Sequence, residues 1–132
     1  MRIYLTHCSK EKSLAAKTSG LLLPPDELYT DEGIQMFMQM CKKKGVDWAI
    51  LSDHYGVFFP NEKHVYYEKP PDSVTLQEEA IIIAHFNKRL AGYDEIWFYV
   101  RPYTFHPFYK RVMIESDLAA RIHFFQNTGE IV

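Results

Sequence analysis

Three short, almost uninterrupted apolar runs set the main constraint on what this chain can fold into. They are Arg2 to Thr6, Asp47 to Leu51 and Glu95 to Val100, and each stops abruptly at a polar stretch. A strand with one wet face alternates apolar and polar side chains. A run apolar throughout fits a strand covered on both faces, as in a parallel sheet.

Helical patterns fill the gaps between the runs. From Asp31 to Lys44, Thr30 or Asp31 can cap the start, and Ile34, Phe37, Met38 and Cys41 recur at helical spacing. Lys42-Lys43-Lys44-Gly45 then supplies a cationic last turn and a left-handed stop. A second helix is predicted from Leu76 to Leu90, opened by Thr75 and Glu78 at capping-box spacing. Its Ile81-Ile82-Ile83 with Ala80 and Ala84 makes it apolar most of the way round, which predicts an interior helix. A third is predicted from Pro107 to Phe125, with Pro tolerated at the first position and Phe108, Val112, Leu118, Ala119, Ile122 and Phe125 along a stripe. Lys12 to Tyr29 and Gly56 to Ser73 read as irregular, the latter holding a small hairpin of Val57–Phe59 against Val65–Tyr67.

Strand, helix, strand, helix, strand, helix is the order of an α/β fold. The expectation is a three-layer sandwich with a small, mostly parallel central sheet and helices packed on it, as a single domain over 1–132. A length of 132 residues suits one core. The balance of 15 Lys+Arg against 17 Asp+Glu gives no electrostatic footprint for tight nonspecific nucleic-acid binding, although a local basic patch stays open. Cys8 and Cys41 lie in dissimilar settings, so no disulfide is expected. The densest apolar stretch, Ala80 to Ala84, is far short of the roughly 20 residues that span a bilayer. The Met-Arg-Ile-Tyr-Leu start lacks a signal core, so no membrane association and a cytoplasmic setting are expected.

In open α/β sheets ligands gather beyond the carboxyl ends of parallel strands. That rule turns three separate polar breaks into one place: His7 to Ser13, Ser52 to Gly56, and Arg101 to Tyr103. Cys8, Lys12, Asp53 and His54 are the candidate catalytic residues. Cys8 can act as a nucleophile if Lys12 or His54 lowers its pKa; the alternative is a small buried hydrophobe at a strand end. Lys12 can hold a phosphate or carboxylate, or act as an amine if desolvated; otherwise it is a solvated loop lysine. Asp53 and His54 supply an acid and a base, or else cap local turns. Ser9, Tyr29, Ser52, Tyr55, Gly56, Arg101 and Tyr103 are the candidate substrate-binding residues. His7, His64, His106 and His123 show no metal-ligand spacing and His85 reads as a core histidine, so no metal is expected. No phosphate-loop or dinucleotide glycine pattern occurs, and no cofactor is expected.

Cys8-Ser9-Lys10-Glu11-Lys12, then Leu28-Tyr29-Thr30, then Ile50-Leu51-Ser52-Asp53-His54-Tyr55-Gly56 form three ordered motifs over roughly residues 3 to 70. This stretch resembles an uncharacterised small α/β family of bacteria, archaea and phages that carries C-S-x-x-K, L-Y-[ST] and I-L-S-x-x-Y-G. The first motif also resembles the core of archaeosine synthase, which modifies a deazaguanine base in transfer RNA on a fold similar to uracil-DNA glycosylases. That resemblance implicates Cys8, Ser9 and Lys12. His7 stands where that enzyme has Pro, and Ser13-Leu14 follow the lysine in place of Pro-Tyr.

The functional expectation is an enzyme acting on a nucleobase, nucleoside or modified nucleic acid, by glycosidic-bond or base-substituent chemistry. The alternative is a non-catalytic module that binds a nucleotide-like ligand or serves as an accessory subunit. An aromatic content of 15% equally allows an interaction surface. The expected partners are a small nucleotide-like ligand or a nucleic-acid base, together with a partner subunit that supplies nucleic-acid binding.

Overall fold

The computed structural model describes residues 1–101 and 104–132. In chain order the elements are β1 (Arg2–His7), α1 (Leu14–Ser19), α2 (Pro25–Leu28), α3 (Glu32–Lys44), β2 (Asp47–Ser52) and β3 (Gly56–Phe58). After these come α4 (Leu76–Leu90), β4 (Glu95–Tyr99), α5 (Pro107–Glu115) and β5 (Ile122–Phe125). The sheet order is β3-β2-β1-β4-β5. β1 runs parallel to both β2 and β4, β5 is parallel to β4, and β3 alone is antiparallel, to β2. The fold is therefore α/β with a mostly parallel five-stranded sheet. The chain leaves β1 toward β2 on one side and later returns to β4 on the other, which makes the β1–β4 gap the topological switch point of the sheet.

The helix with the clearest ends in the sequence forms as expected. Asp31 accepts the Ile34 amide at 3.1 Å, Gly45 closes α3 at φ +66°, and Ile34, Phe37, Met38 and Cys41 are fully buried. Phe37 stacks on Tyr99 of β4 with ring centroids 5.8 Å apart. The capping box of Thr75 and Glu78 opens α4.

Four expectations need correction. α4 is one-sided: Glu79, Ile82, Phe86 and Leu90 are buried, whereas Ile81 is 69% exposed. Three consecutive isoleucines sweep roughly 200° of a helix, so a single apolar face cannot take all of them. The third helix stops at Glu115, where Ser116 donates to the Met113 carbonyl at 2.6 Å, and Ile122–Phe125 pairs with β4. Its β-branched and aromatic residues happen to sit at helical spacing, and sheet pairing overrides that pattern. Val57 and Phe58 pair with Leu51 and Ile50 of β2, not with Val65–Tyr67. Gly56 at φ +72° supplies the left-handed residue of this tight β2–β3 connection. Finally, Lys12 to Tyr29 contains two short helices: Ser13 caps α1, and Pro25 opens α2 at a position that needs no amide.

Among the described residues no helix is long and apolar enough to cross a membrane.

Candidate functional site

The carboxyl ends of β1, β2 and β4 open into a cleft of about 750 Å³. His7 to Lys12 line it together with Asp53, Arg101, Tyr109, Tyr66 and the segment Glu68 to Pro71. The Cys8 amide extends the β1–β2 ladder one step beyond β1 by donating to the Leu51 carbonyl at 3.0 Å. That step brings Cys8 beside the residues that follow β2.

The centre of the cleft is a cysteine–aspartate contact. Cys8 Sγ lies 3.6 Å from Asp53 Oδ1 and 3.2 Å from Tyr109 Oη. Asp53 is only 2% exposed, and burial raises its carboxyl from the ordinary 3.8 to about 6, against the pull of Cys8 and the Lys12 charge. Burial also pushes the Cys8 thiol up, helped by the neighbouring Asp53 charge. The sulfur is therefore a neutral thiol. The pKa depression by Lys12 or His54 that nucleophilic attack needs is absent from this state.

Hydroxyl bookkeeping beneath the thiol fixes the direction of one proton. Ser52 Oγ accepts the amides of His54 and Tyr55, each at 3.0 Å, so its own proton goes to Tyr67 Oη at 2.9 Å. Tyr29 Oη is fully buried and shares a hydrogen bond with Tyr67 Oη at 2.8 Å. Tyr67 Oη thus gathers the buried Ser52 and Tyr29 hydroxyls on one side of the cleft.

Lys12 stands over this centre. Its ammonium lies 4.4 Å from the Tyr67 ring centroid, and among the described residues no carboxylate sits within ion-pair distance of it. Partial burial lowers its pKa, while the Cys8, Asp53 and Glu68 charges act the other way.

Arg101, a candidate substrate-binding residue, lines the cleft with its guanidinium engaged by the protein itself. Only 6% exposed, it reaches Asp31 Oδ2 at 2.9 Å, His7 Nδ1 at 2.8 Å and the Cys8 carbonyl at 3.1 Å. Asp31 also caps α3, so a single carboxylate ties that helix to the end of β1. His7 stacks on Tyr109 at 4.9 Å, and burial together with the Arg101 charge drives its pKa down to about 3, keeping it neutral.

Of the residues picked from sequence, Cys8, Ser9, Lys12, Asp53 and Arg101 line the cleft. Tyr29 and Ser52 are buried beneath it and support Tyr67. His54 does not line it: its exposed side chain stacks on Tyr67 at 5.1 Å, on the far side of the β2 turn. Tyr55 stacks on His64 at 3.9 Å and donates to the Val65 carbonyl, so it braces the loop outside the cleft. Gly56 serves the backbone, and a side chain there would collide with His85, since a Cβ would lie 2.4 Å from Nδ1. Tyr103 lies outside the described residues. Sequence reasoning missed Tyr67 and Tyr109. Tyr109 had a signal, because the first turn of a helix that follows β4 faces the same edge as the other loops.

Comparison with protein-family models, curated proteins and solved structures finds no match to this chain. Among the described residues no group of three His, Cys, Asp or Glu side chains has metal-holding geometry.

Proposed function

We propose that the chain is an enzyme that acts on a nucleobase, nucleoside or modified nucleic acid in this cleft, with Asp53 as the group that moves a proton. The observation that carries the reading is a buried carboxyl raised to about 6 at the carboxyl end of β2, within 3.6 Å of a thiol at the end of β1 and in a cleft whose Lys12 ammonium has no carboxylate partner among the described residues. A general acid or base works best with a pKa near the working pH, and Asp53 meets that condition. Cys8 acts as a neutral donor that orients the carboxylate, and Lys12 supplies positive charge. The Tyr66 and Tyr109 rings give the walls the aromatic character that suits a base. A volume of about 750 Å³ is in the range of small-ligand sites, typically ~300–1,000 Å³. The likeness of Cys8-Ser9-x-x-Lys12 to the archaeosine synthase core supports the same substrate class.

The reading takes the helices as two outer layers of a three-layer sandwich. Consecutive β4 residues face opposite ways, Tyr99 meeting Phe37 of α3 and Phe98 meeting His7, which stacks on Tyr109 of α5. It includes a cytoplasmic setting. For a nucleic-acid substrate it also includes a partner subunit, because a net charge of −2 supplies little phosphate affinity.

The second reading is a module that binds a nucleotide-like ligand without turning it over, in which the un-ionised Cys8 thiol shapes the pocket and takes no part in chemistry. Thermal-shift measurements with nucleosides, nucleotides and deazapurines test both. Binding raises Tm, and Lys12→Ala removes the rise. Turnover by the wild type that Asp53→Asn abolishes establishes the enzyme; binding without turnover leaves the module; no binding at all defeats both.

A further inference from the structure

The loop after β1 carries donors that the fold does not use. The Cys8 amide bonds the Leu51 carbonyl and the Ser13 amide bonds the Leu28 carbonyl at 2.9 Å. Between them, none of the four consecutive amides of Ser9, Lys10, Glu11 and Lys12 meets an acceptor among the described residues. The first and last of these peptide planes are nevertheless held from the carbonyl side. The Cys8 carbonyl accepts from Arg101 at 3.1 Å, and the Glu11 carbonyl accepts from the Thr30 amide at 3.2 Å and from Ser9 Oγ at 2.8 Å. A trans peptide points its N–H opposite its C=O, so the Ser9 and Lys12 amides are turned away from those anchors. All four residues line the cleft.

Successive unpaired amides in a fixed loop form a concave site for an anion. The ammonium of Lys12 stands at the same loop without a carboxylate partner among the described residues. Of the acidic groups nearby, Glu68 is engaged by Lys17 at 3.1 Å and Tyr66 at 2.6 Å, Glu11 is exposed, and Asp53 faces Cys8. We infer that the Ser9–Lys12 loop and the Lys12 ammonium form a phosphate subsite, so that the ligand of the cleft is a nucleoside phosphate and not a free base or nucleoside. The inference rests on reading the cleft as a ligand site and narrows what that site takes.

Amide NMR of the ¹⁵N-labelled chain tests it with three probes: inorganic phosphate, a nucleoside, and the matching nucleoside 5′-monophosphate. The expected result is that phosphate and the monophosphate move the Ser9, Lys10, Glu11 and Lys12 amide signals. The monophosphate should bind at least about tenfold tighter than the nucleoside, a margin that Lys12→Ala erases. The wild-type amide shifts stand whether or not that variant folds. Equal affinity for nucleoside and monophosphate, with signals at His7 and Tyr109 moving while those four amides stay still, overturns the phosphate subsite and leaves the cleft reading intact. No movement at any cleft residue with any probe overturns both. If an oligonucleotide without a terminal phosphate moves the same four amides, the subsite takes a backbone diester; if only the monophosphate moves them, it takes a monoester.

Discussion

The two ends of the Phe37–Tyr99 to Cys8–Asp53 axis are built on opposite principles. Where α3 meets the sheet, Ile34, Phe37, Met38 and Cys41 are fully buried and the contact is apolar, with Cys41 an inert thiol pushed to about 12 by burial alone. At the carboxyl ends of the same strands, the buried groups are His7, Cys8, Asp53 and Arg101, and each has its titration moved by that burial. One region keeps what lowers the free energy of folding. The other keeps groups whose charged forms are costly to bury, which is how sites of chemistry differ from packing. If the comparison holds, substitutions in the two regions must change stability with opposite signs.

The largest effect belongs to the packed side. Phe37→Ala removes a ring stacked on Tyr99 and leaves a void that the sheet cannot close. It should destabilise the fold by about 3–5 kcal/mol, read from urea unfolding. Ligand binding in the cleft should persist at temperatures where the variant stays folded. A loss of under about 1 kcal/mol would mean that α3 is loosely seated and that the region is not the stabilising half of the pair.

Asp53→Asn should act the other way. A carboxyl raised from 3.8 to about 6 binds its proton more tightly when folded, so its contribution to stability is full below its unfolded pKa and is lost as pH rises through 6. At pH 7 the wild type bears that loss, and the amide, which never ionises, should be more stable by about 2 kcal/mol. The same variant should lack turnover. A less stable, inactive variant would show that the carboxylate is held by bonds that favour its charge, contrary to its burial.

The contrast between these regions was only half visible in the sequence. The α3 contact was legible because Asp31, the Ile34-Phe37-Met38-Cys41 spacing and Gly45 agree on one helix and one face. The meeting of Cys8, Lys12 and Asp53 was legible too, because it follows from parallel strands and needs no side-chain detail. What stayed hidden depends on where a side chain turns after its strand ends. His54 and Tyr55 sit next to Asp53 in the chain, yet the tight turn at Gly56 swings them outside the cleft. Arg101 reads as a free cation until its neighbours Asp31 and His7, 70 and 94 positions away, are known to enclose it. Tyr67 was read as part of a hairpin strand, and only its two hydroxyl partners, Tyr29 and Ser52, reveal its place. β5 was concealed by a pattern that two periodicities share.

A smaller effect sharpens the comparison within the cleft itself, because His7 and Asp53 titrate with opposite consequences. His7 falls from 6.5 to about 3 on folding, so the unfolded chain binds its proton more tightly, and stability from this residue rises with pH between those values. Asp53 lowers stability with rising pH between its ordinary value and about 6. From pH 4 to 6 the two slopes cancel, each being roughly 1.4 kcal/mol per pH unit for one proton. Asp53→Asn should therefore gain stability with rising pH more steeply than the wild type there, by about 1 kcal/mol per unit. Urea midpoints taken at half-unit intervals decide it: parallel curves for the two proteins would remove Asp53 from the buried titrating groups.

The smallest effect separates buried polarity from polarity as such. At the cleft mouth His106 Nδ1 accepts the Phe108 amide, so its Nε2 carries the proton and donates to Asp72 Oδ1 at 2.7 Å. Asp72 is 86% exposed at its side chain, and water screens whatever the pair gains. Asp72→Asn should move stability by less than about 0.5 kcal/mol in either direction, read from urea unfolding. His106 lines the same cleft as Cys8 and Asp53, so its exposed pair and the buried centre become a control for each other. A shift of 2 kcal/mol at the rim would show that the cleft's electrostatics arise from its net charge and not from the exclusion of water around Asp53.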